Sequence, residues 1–433
     1  MNIARSSVKL FLVSGLNSAL GFVGITYFAR ELGASELGIF FLFQALLGMV
    51  TLPADLGIDG AITKRISEGE SPETVFASGV ALKGTILGVL LLLIFPLRGY
   101  INSYLGADLA LLLAVAVVVD ASGHLTLKVL SGELRVGETA VLELSKQAFW
   151  IGIGGVLVAF GFGLWGLIYG LLAGLVAKLV WGAYRVSTPL GRPTMESVRS
   201  LLEYAKYSFL GSTGMYVYNW IDVAIIGLFL TKADVGVYEV AWRVAGIAML
   251  FSYAIGTTVF PQVSQWHASD AMDRIEELLP RAITGSLALV IPAFFGVAVL
   301  SRDILGILFG DEYAVAWLVL IVLTGEKILQ AIQVLLGISL EGLDKPKLAA
   351  QATVIAIVVN VVLNVVLILS FGILGAAVAT TVSFGINMLL NIYYIRRFVD
   401  LQFPYRNIGW FVVSSVGMVV VLIFVRPLIE PDT

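Results

Sequence analysis

Cysteine is absent from this 433-residue chain. That excludes disulfides, thiolate metal sites and thiol catalysis. Charge is scarce too, since only 13% of the residues are Asp, Glu, Lys or Arg. The net charge is −3, and there is no basic stripe of the kind that nucleic-acid binding requires. The connections between apolar segments are short, so no large water-exposed domain fits among them. Enzyme signatures are missing as well: the chain has no Walker A run, no Gly-x-Ser-x-Gly and no His-Glu-x-x-His.

What the chain has in abundance is apolar sequence. Hydrophobic residues make up 59% of it, and the mean hydropathy is +0.96. A bilayer core needs roughly 20 apolar residues per spanning helix. Segments of that kind occur at 9–29, 38–62, 76–97, 108–130, 140–160, 163–184, 205–229, 237–261, 282–301, 314–338, 349–371, 373–395 and 408–428. The expected fold class is an all-α polytopic membrane protein. The first run, Phe11–Phe28, is too long for the apolar part of a cleavable signal and lacks a small-residue cleavage site, so it is read as a retained span.

Basic residues orient the spans. About 19 flank them on the side of the N-terminus and about six on the other side. This bias places the N-terminus in the cytoplasm of a multi-pass protein of the cell (inner) membrane. Thirteen spans put the C-terminus outside; if 408–428 lies only at the interface, the count is twelve and the C-terminus is inside. Two inner connections, 185–204 and 262–281, are amphipathic. Val198, Leu201, Leu202 and Ala205 oppose Arg199, Glu203 and Lys206 in the first, and Met272, Ile275 and Leu278 oppose Asp273, Arg274, Glu276 and Glu277 in the second. Both read as helices on the membrane surface, the second equally as a solvated loop.

The two halves of the chain are alike. Leu32-Gly-Ala-Ser-Glu-Leu-Gly38-Ile-Phe40 matches Leu230-Thr-Lys-Ala-Asp-Val-Gly236-Val-Tyr238, with an acid two residues before the second Gly of each pattern. Gly163-Leu-Trp-Gly166 matches Gly372-Ile-Leu-Gly375, and Leu105-Gly-Ala-Asp108 matches Phe309-Gly-Asp-Glu312. Six spans separate the copies, so both halves cross the membrane in the same direction. Parallel repeats place a substrate path between two lobes. The expected divisions are an N-terminal lobe at 1–184, a linker with an interfacial helix at 185–204, a C-terminal lobe at 205–397, and a further span with its tail at 398–433.

Several segments carry a family resemblance. They are Phe28-Ala-Arg30-Glu-Leu-Gly33, Asp55-Leu-Gly57-Ile-Asp-Gly60-Ala-Ile-Thr-Lys-Arg65, Asp222, Pro261-Gln-Val-Ser264, Leu305-Gly-Ile-Leu-Phe-Gly310-Asp-Glu-Tyr313, Gly342-Leu-Asp-Lys-Pro-Lys347 and Asn360-Val-Val-Leu-Asn364. In this order they resemble the multidrug/oligosaccharidyl-lipid/polysaccharide exporter superfamily, and within it the Wzx-type oligosaccharide flippases. The resemblance implies a MATE-like fold of two six-helix lobes plus about one extra C-terminal helix. It implies a transporter with no cofactor that flips a lipid-linked oligosaccharide among membrane lipids, with glycan-assembly proteins as candidate partners.

An ionisable group at the bilayer centre costs at least about 2.5–3.5 kcal/mol, so each one needs a partner or a task. Asp222 follows Tyr216, Tyr218, Asn219 and Trp220 in span seven; Asn360 and Asn364 share one helix face in span eleven, and Thr380 and Thr381 lie in span twelve. Oxygen donors of this kind suit a small hard cation. Asp222, Asn360, Asn364 and Thr380 also resemble the sodium site of MurJ-type lipid flippases, apart from an amide at Asn364 where an acid is common. Sodium binding, interhelical packing and proton carriage by Asp222 all remain open here.

Asp120, His124 and Lys128 lie on one stripe of span four. They read either as a proton relay through Asp120 and His124 or as an internal ion pair. Arg30, Lys83, Lys128, Arg243 and Lys327 are the candidate cations for a lipid phosphate, against snorkelling or pairing with Glu239 or Glu326. Asp55 and Asp59 read as gate or packing elements, not as a binding site, with Asp59 paired to Lys64 and the helix kinked at Pro53. The function expected from all this is ion-coupled flipping of a polyprenyl-phosphate-linked oligosaccharide from the cytoplasmic to the outer leaflet, driven by Na+ or H+. The alternatives are a multidrug or cation antiporter, which the intramembrane Lys and Arg oppose, and a glycosyl polymerase or ligase, which lacks its outer loop.

Overall fold

The computed structural model describes residues 3–69 and 71–429. The side chains of 1–12, 14, 206–219 and 426–429 lie outside the described residues, and with them the expectations on Lys206, Tyr216, Tyr218 and Asn219. Among the described residues the structure is helical throughout. It runs α1 (Ile3–Asp55), α2 (Ile58–Glu68), α3 (Pro72–Leu105), α4 (Ala110–Gly132), α5 (Val136–Ala159), α6 (Gly163–Arg185), α7 (Met195–Phe229), α8 (Lys232–Gly246), α9 (Leu250–Ala268), α10 (Met272–Phe309), α11 (Trp317–Gly342), α12 (Pro346–Ile395) and α13 (Tyr405–Ile429). Two short 3₁₀ turns, Ile247–Met249 and Asp311–Ala316, join α8 to α9 and α10 to α11. In lipid a backbone must satisfy its own polar groups, and helices do so within one segment.

Among the described residues, ten helices are long and apolar enough to cross a membrane. Two of them contain a non-helical glycine, Gly33 (φ 77°, ψ 173°) in α1 and Gly372 (φ 58°, ψ −141°) in α12. These breaks fall where the hydropathy pattern separates spans one from two and eleven from twelve, so the ten helices supply twelve apolar segments. The expected seventh span falls in α7, of which the apolar stretch Trp220–Phe229 is described. Leu92, Phe95 and Phe424 are exposed on the outer faces of α3 and α13, surfaces suited to lipid. Pro53 itself stays helical; the chain turns three residues later, at Leu56 (φ 43°) and Gly57 (φ 80°).

The chain divides into two compact units, Met1–Gly236 and Val237–Thr433. The division falls later than the 185–204 linker, because that linker is bonded to the first unit. The Glu133 carboxylate accepts the N–H groups of Ser187 and Thr188 at 2.9 and 2.8 Å and the Thr188 hydroxyl at 2.8 Å. Arg135 donates to the Arg185 carbonyl and the Ser187 hydroxyl at 2.7 and 2.8 Å. Farther on, the Gly191 N–H donates to the Glu73 carbonyl at 3.1 Å. Thr194 then caps α7, its hydroxyl accepting the Ser197 N–H at 3.2 Å.

From that cap α7 runs unbroken. Leu201 and Ala205 are buried with Ile58, Ala61 and Ile62 of α2, so part of the amphipathic face expected on the membrane surface packs on α2, while Leu202 stays exposed. The second such segment ends the same way. Only 269–271 separate α9 from α10, and Ile275 lies in the core of the second unit.

Glu133 makes the linker sensitive to acid. Burial works against its charge, but the Thr188 and Ser187 donors and Arg135 outweigh that and hold the carboxyl below its ordinary value of 4.5. A carboxyl lowered on folding stabilises above its unfolded value, and that contribution is lost as pH falls through the folded one. The chain has no cysteine, so Leu190→Cys provides a unique spin-label site on the exposed linker. The label should stay immobile from pH 6 to 8 and become mobile below about pH 4. In Glu133→Gln it should already be mobile at pH 7. A label equally immobile in both proteins would show that Glu133 does not hold the linker.

Candidate functional site

Two groups of buried charges lie in the first unit. At the turn after α1, the Asp55 carboxylate accepts the Asp59 N–H at 2.9 Å. Asp59 forms an ion pair with Lys83 of α3, and both are buried. Lys64, the partner expected for Asp59, instead binds Glu68 at 2.8 Å, four residues along α2. A pair one turn apart on a surface helix needs no folding; Lys83 reaches Asp59 only because α2 packs on α3.

The second group centres on Lys178 of α6, which is fully buried. Its ammonium donates to Asp120 Oδ1 at 2.8 Å and lies 3.7 Å from Glu143 Oε1. Glu143 also binds Lys146 at 3.1 Å. His124 Nδ1 lies 3.1 Å from the Asp120 carbonyl oxygen, 3.3 Å from its Oδ1 and 3.4 Å from Lys178 Nζ. Asp120 and His124 therefore meet as the spacing of span four suggests, but the ion-pair partner of Asp120 is Lys178, not Lys128. The basic count treats Lys178 and Lys146 as flanking charges. Glu143, an acid within an apolar span, is the sequence signal for the group they form.

Beside this group lies a cavity of about 510 Å³. His124 and Lys128 of α4 line it, one helical turn apart, with Asn17 and Ser18 of α1 and Thr139 and Glu143 of α5. Its size is that of ordinary small-molecule sites, and a polar hollow in a membrane unit suits a polar headgroup. Arg30 of α1 is exposed on this unit, and Asp222 of α7 is buried in it.

In the second unit, Arg243 binds Glu239 at 2.9 Å. Lys327 binds its neighbour Glu326 at 2.8 Å and sits 3.5 Å above the Trp242 ring, a cation–π contact strengthened by the lack of water. Asn360 and Asn364 are both buried, as are Thr380, Ser383, Asn387 and Asn391 down one face of α12. The Asn360 amide donates to the hydroxyls of Thr380 and Ser383 at 3.2 and 3.4 Å. Its Oδ1 is buried without a hydrogen-bond donor among the described residues. Asp222 belongs to the first unit, Asn360, Asn364 and Thr380 to the second.

A family model described as "Polysaccharide biosynthesis protein" matches residues 27–318. A probable low-salt glycan biosynthesis flippase of Haloferax volcanii is 51% identical over 99% of this chain and 91% of its own length. A probable flippase of the same organism is 31% identical over 99% of this chain and 91% of its own. Among solved structures, Lipid II flippase MurJ in an inward closed conformation superposes with a TM-score of 0.84 at 17% identity, covering 98% of this chain and 94% of that one. That likeness establishes the fold.

Proposed function

Since the chain belongs to the polysaccharide biosynthesis protein family, we propose that it flips a polyprenyl-phosphate-linked oligosaccharide between membrane leaflets. Its relatives are named flippases and not enzymes. The observation that carries the reading is the polar cavity of the first unit, walled by Lys128 and His124 inside a multi-pass membrane protein. The sugar and phosphate travel through polar surroundings while the lipid tail stays in the bilayer, and two lobes open in turn. The excess of basic residues on the N-terminal side supports a cytoplasmic N-terminus in the cell membrane, and the proposed direction of flipping is outward. The further cations proposed to attend this passage are Arg30 at the surface and Lys83, Arg243 and Lys327, each of these three held by a carboxylate.

A deletion strain tests the reading. Lipid-linked sugar should accumulate on the cytoplasmic leaflet and be cleared by the wild-type gene. No accumulation in that strain removes the proposal.

For the coupling ion we propose sodium. The Asn360 oxygen supports this, because a cation would satisfy it as a hydroxyl or amide donor would; Asn364 and Thr380 beside it are further oxygen ligands, and the family resemblance names Asp222 as the carboxylate. Asp222→Ala should abolish the sodium dependence of transport in proteoliposomes. If the dependence persists, sodium does not act through Asp222, and the proton path by Asp120 and His124 becomes the reading to test.

A further inference from the structure

Lys178 is held by a carboxylate, as are Lys83, Arg243 and Lys327. Lys232, at the start of α8, is held differently. Its ammonium donates to two backbone carbonyls, that of Tyr104 in α3 and, at 3.4 Å, that of Gly227 in α7. The acid of its own turn is spent elsewhere, since Asp234 accepts the N–H and the hydroxyl of Thr231 at 3.0 and 2.6 Å. The Lys232 stem lies against the glycine that ends α3: a Cβ at Gly106 would stand 3.3 Å from its Cε. The ammonium therefore caps the last turn of α3, where open carbonyls gather negative charge.

Packing closes the same place. The Tyr104 hydroxyl donates to the Ala224 carbonyl of α7 at 2.8 Å. Gly227 allows that approach, because a Cβ there would lie 3.0 Å from the hydroxyl. Leu42 of α1 is fully buried, and its side chain lies against Gly227 as well. So α1, α3, α7 and the start of α8 meet at the end of the unit where α3 finishes. Ser131 and Thr139, which line the cavity, stand in the last turn of α4 and the first turn of α5, toward the opposite end.

The internal repeat separates the packing from the bond. Gly38 lies against the Lys232 carbonyl, and its equivalent Gly236 lies against the Ala34 carbonyl. Lys232 is itself the equivalent of Ala34, whose side chain has nothing to donate. The crossing needs both glycines; the ammonium is added in one copy only.

We propose that Lys232 is a reversible latch, which holds this end of the first unit shut and lets go when it opens. With the N-terminus in the cytoplasm, this is the outer end. An ammonium bound to a carboxylate in a weakly screened interior parts from it at high cost. One bound to carbonyls at a half-buried rim parts easily, because water replaces the bond on both sides. Lys178 is thus a fixed part of the frame and Lys232 a movable one. The latch rests on the reading that two lobes open in turn, but it needs no substrate.

The test is thiol labelling of the full chain in nanodiscs, where a water-soluble maleimide reaches both faces. The chain has no cysteine, so Leu42→Cys reports the latched end alone. In a separate protein, Leu201→Cys, fully buried against α2, reports the opposite end. Without further change both should label slowly. Lys232→Met should speed labelling of Leu42→Cys by about tenfold or more, since two bonds from a charged donor are lost. Labelling of Leu201→Cys should stay as it was, a difference that a loosened fold would not give. Unchanged labelling of Leu42→Cys overturns the latch. Should Lys232→Met expose both thiols alike, Tyr104→Phe decides, because it removes only the hydroxyl bond between α3 and α7. Faster labelling of Leu42→Cys alone then sustains the latch, and any other result overturns it. Either failure leaves the flippase reading standing, because no lipid-linked sugar takes part.

Discussion

Gly38→Ala is expected to destabilise the protein by about 3 kcal/mol and to abolish transport. A Cβ at Gly38 would lie 2.7 Å from the Lys232 carbonyl carbon, nearer still to its oxygen, and 3.0 Å from the Gly236 nitrogen. All three are backbone atoms, so no side chain can swing aside. The contact is reciprocal, for a Cβ at Gly236 would lie 2.9 Å from the Ala34 carbonyl carbon. Lys232 stands four residues before Gly236, as Ala34 stands four before Gly38. The two copies of the Leu-x5-Gly pattern thus lie with each glycine against the other's backbone. In lipid this matters more than burial, because helix association there depends on close van der Waals approach. A melting curve in nanodiscs checks the first part and a leaflet-specific transport assay the second. Gly88→Ala is the control: nothing lies within 4 Å of its Cβ, so stability should hold or rise. If Gly38→Ala melts like that control, the crossing is not tight in the native protein.

Lys178→Met should cost about 3–5 kcal/mol. Removing the fully buried ammonium leaves Asp120 without its 2.8 Å partner and Glu143 with only Lys146. A buried carboxylate stripped of its counter-charge is far worse than no charge at all. The double variant Asp120→Leu/Lys178→Met should therefore recover much of the loss, and a double-mutant cycle on the melting free energies reads the coupling directly. Losses that simply add would show that the pair does not hold α4 to α6. Lys146→Met should cost much less, because its side chain is only partly buried.

Much of the architecture was legible in the amino-acid order. Gly33 and Gly372 break helices where the apolar runs divide, because a span's length is set by bilayer thickness and hydropathy measures it. Arg243 with Glu239 was legible too, since residues four apart share a helix face, while Lys327 with its neighbour Glu326 was a candidate that the structure made a pair. The contacts of the linker were not legible, for a specific reason. Its amphipathic pattern marks a face that must be covered, but the pattern is the same whether lipid or α2 covers it, and Leu201 lies against α2. Asp59 was matched to Lys64 by nearness in the chain, and Lys83 claimed it through packing.

By itself the amino-acid order determined the all-α membrane class, the number and length of apolar segments, and the glycines at which they turn. These are properties of short stretches, since solvation acts on each residue where it stands. Only the tertiary structure decided which charges form ion pairs with which. Asp120 and Lys178 are 58 residues apart and meet because α4 packs on α6. Sequence spacing could not reveal that pairing, because electrostatic partnership is a matter of distance in space.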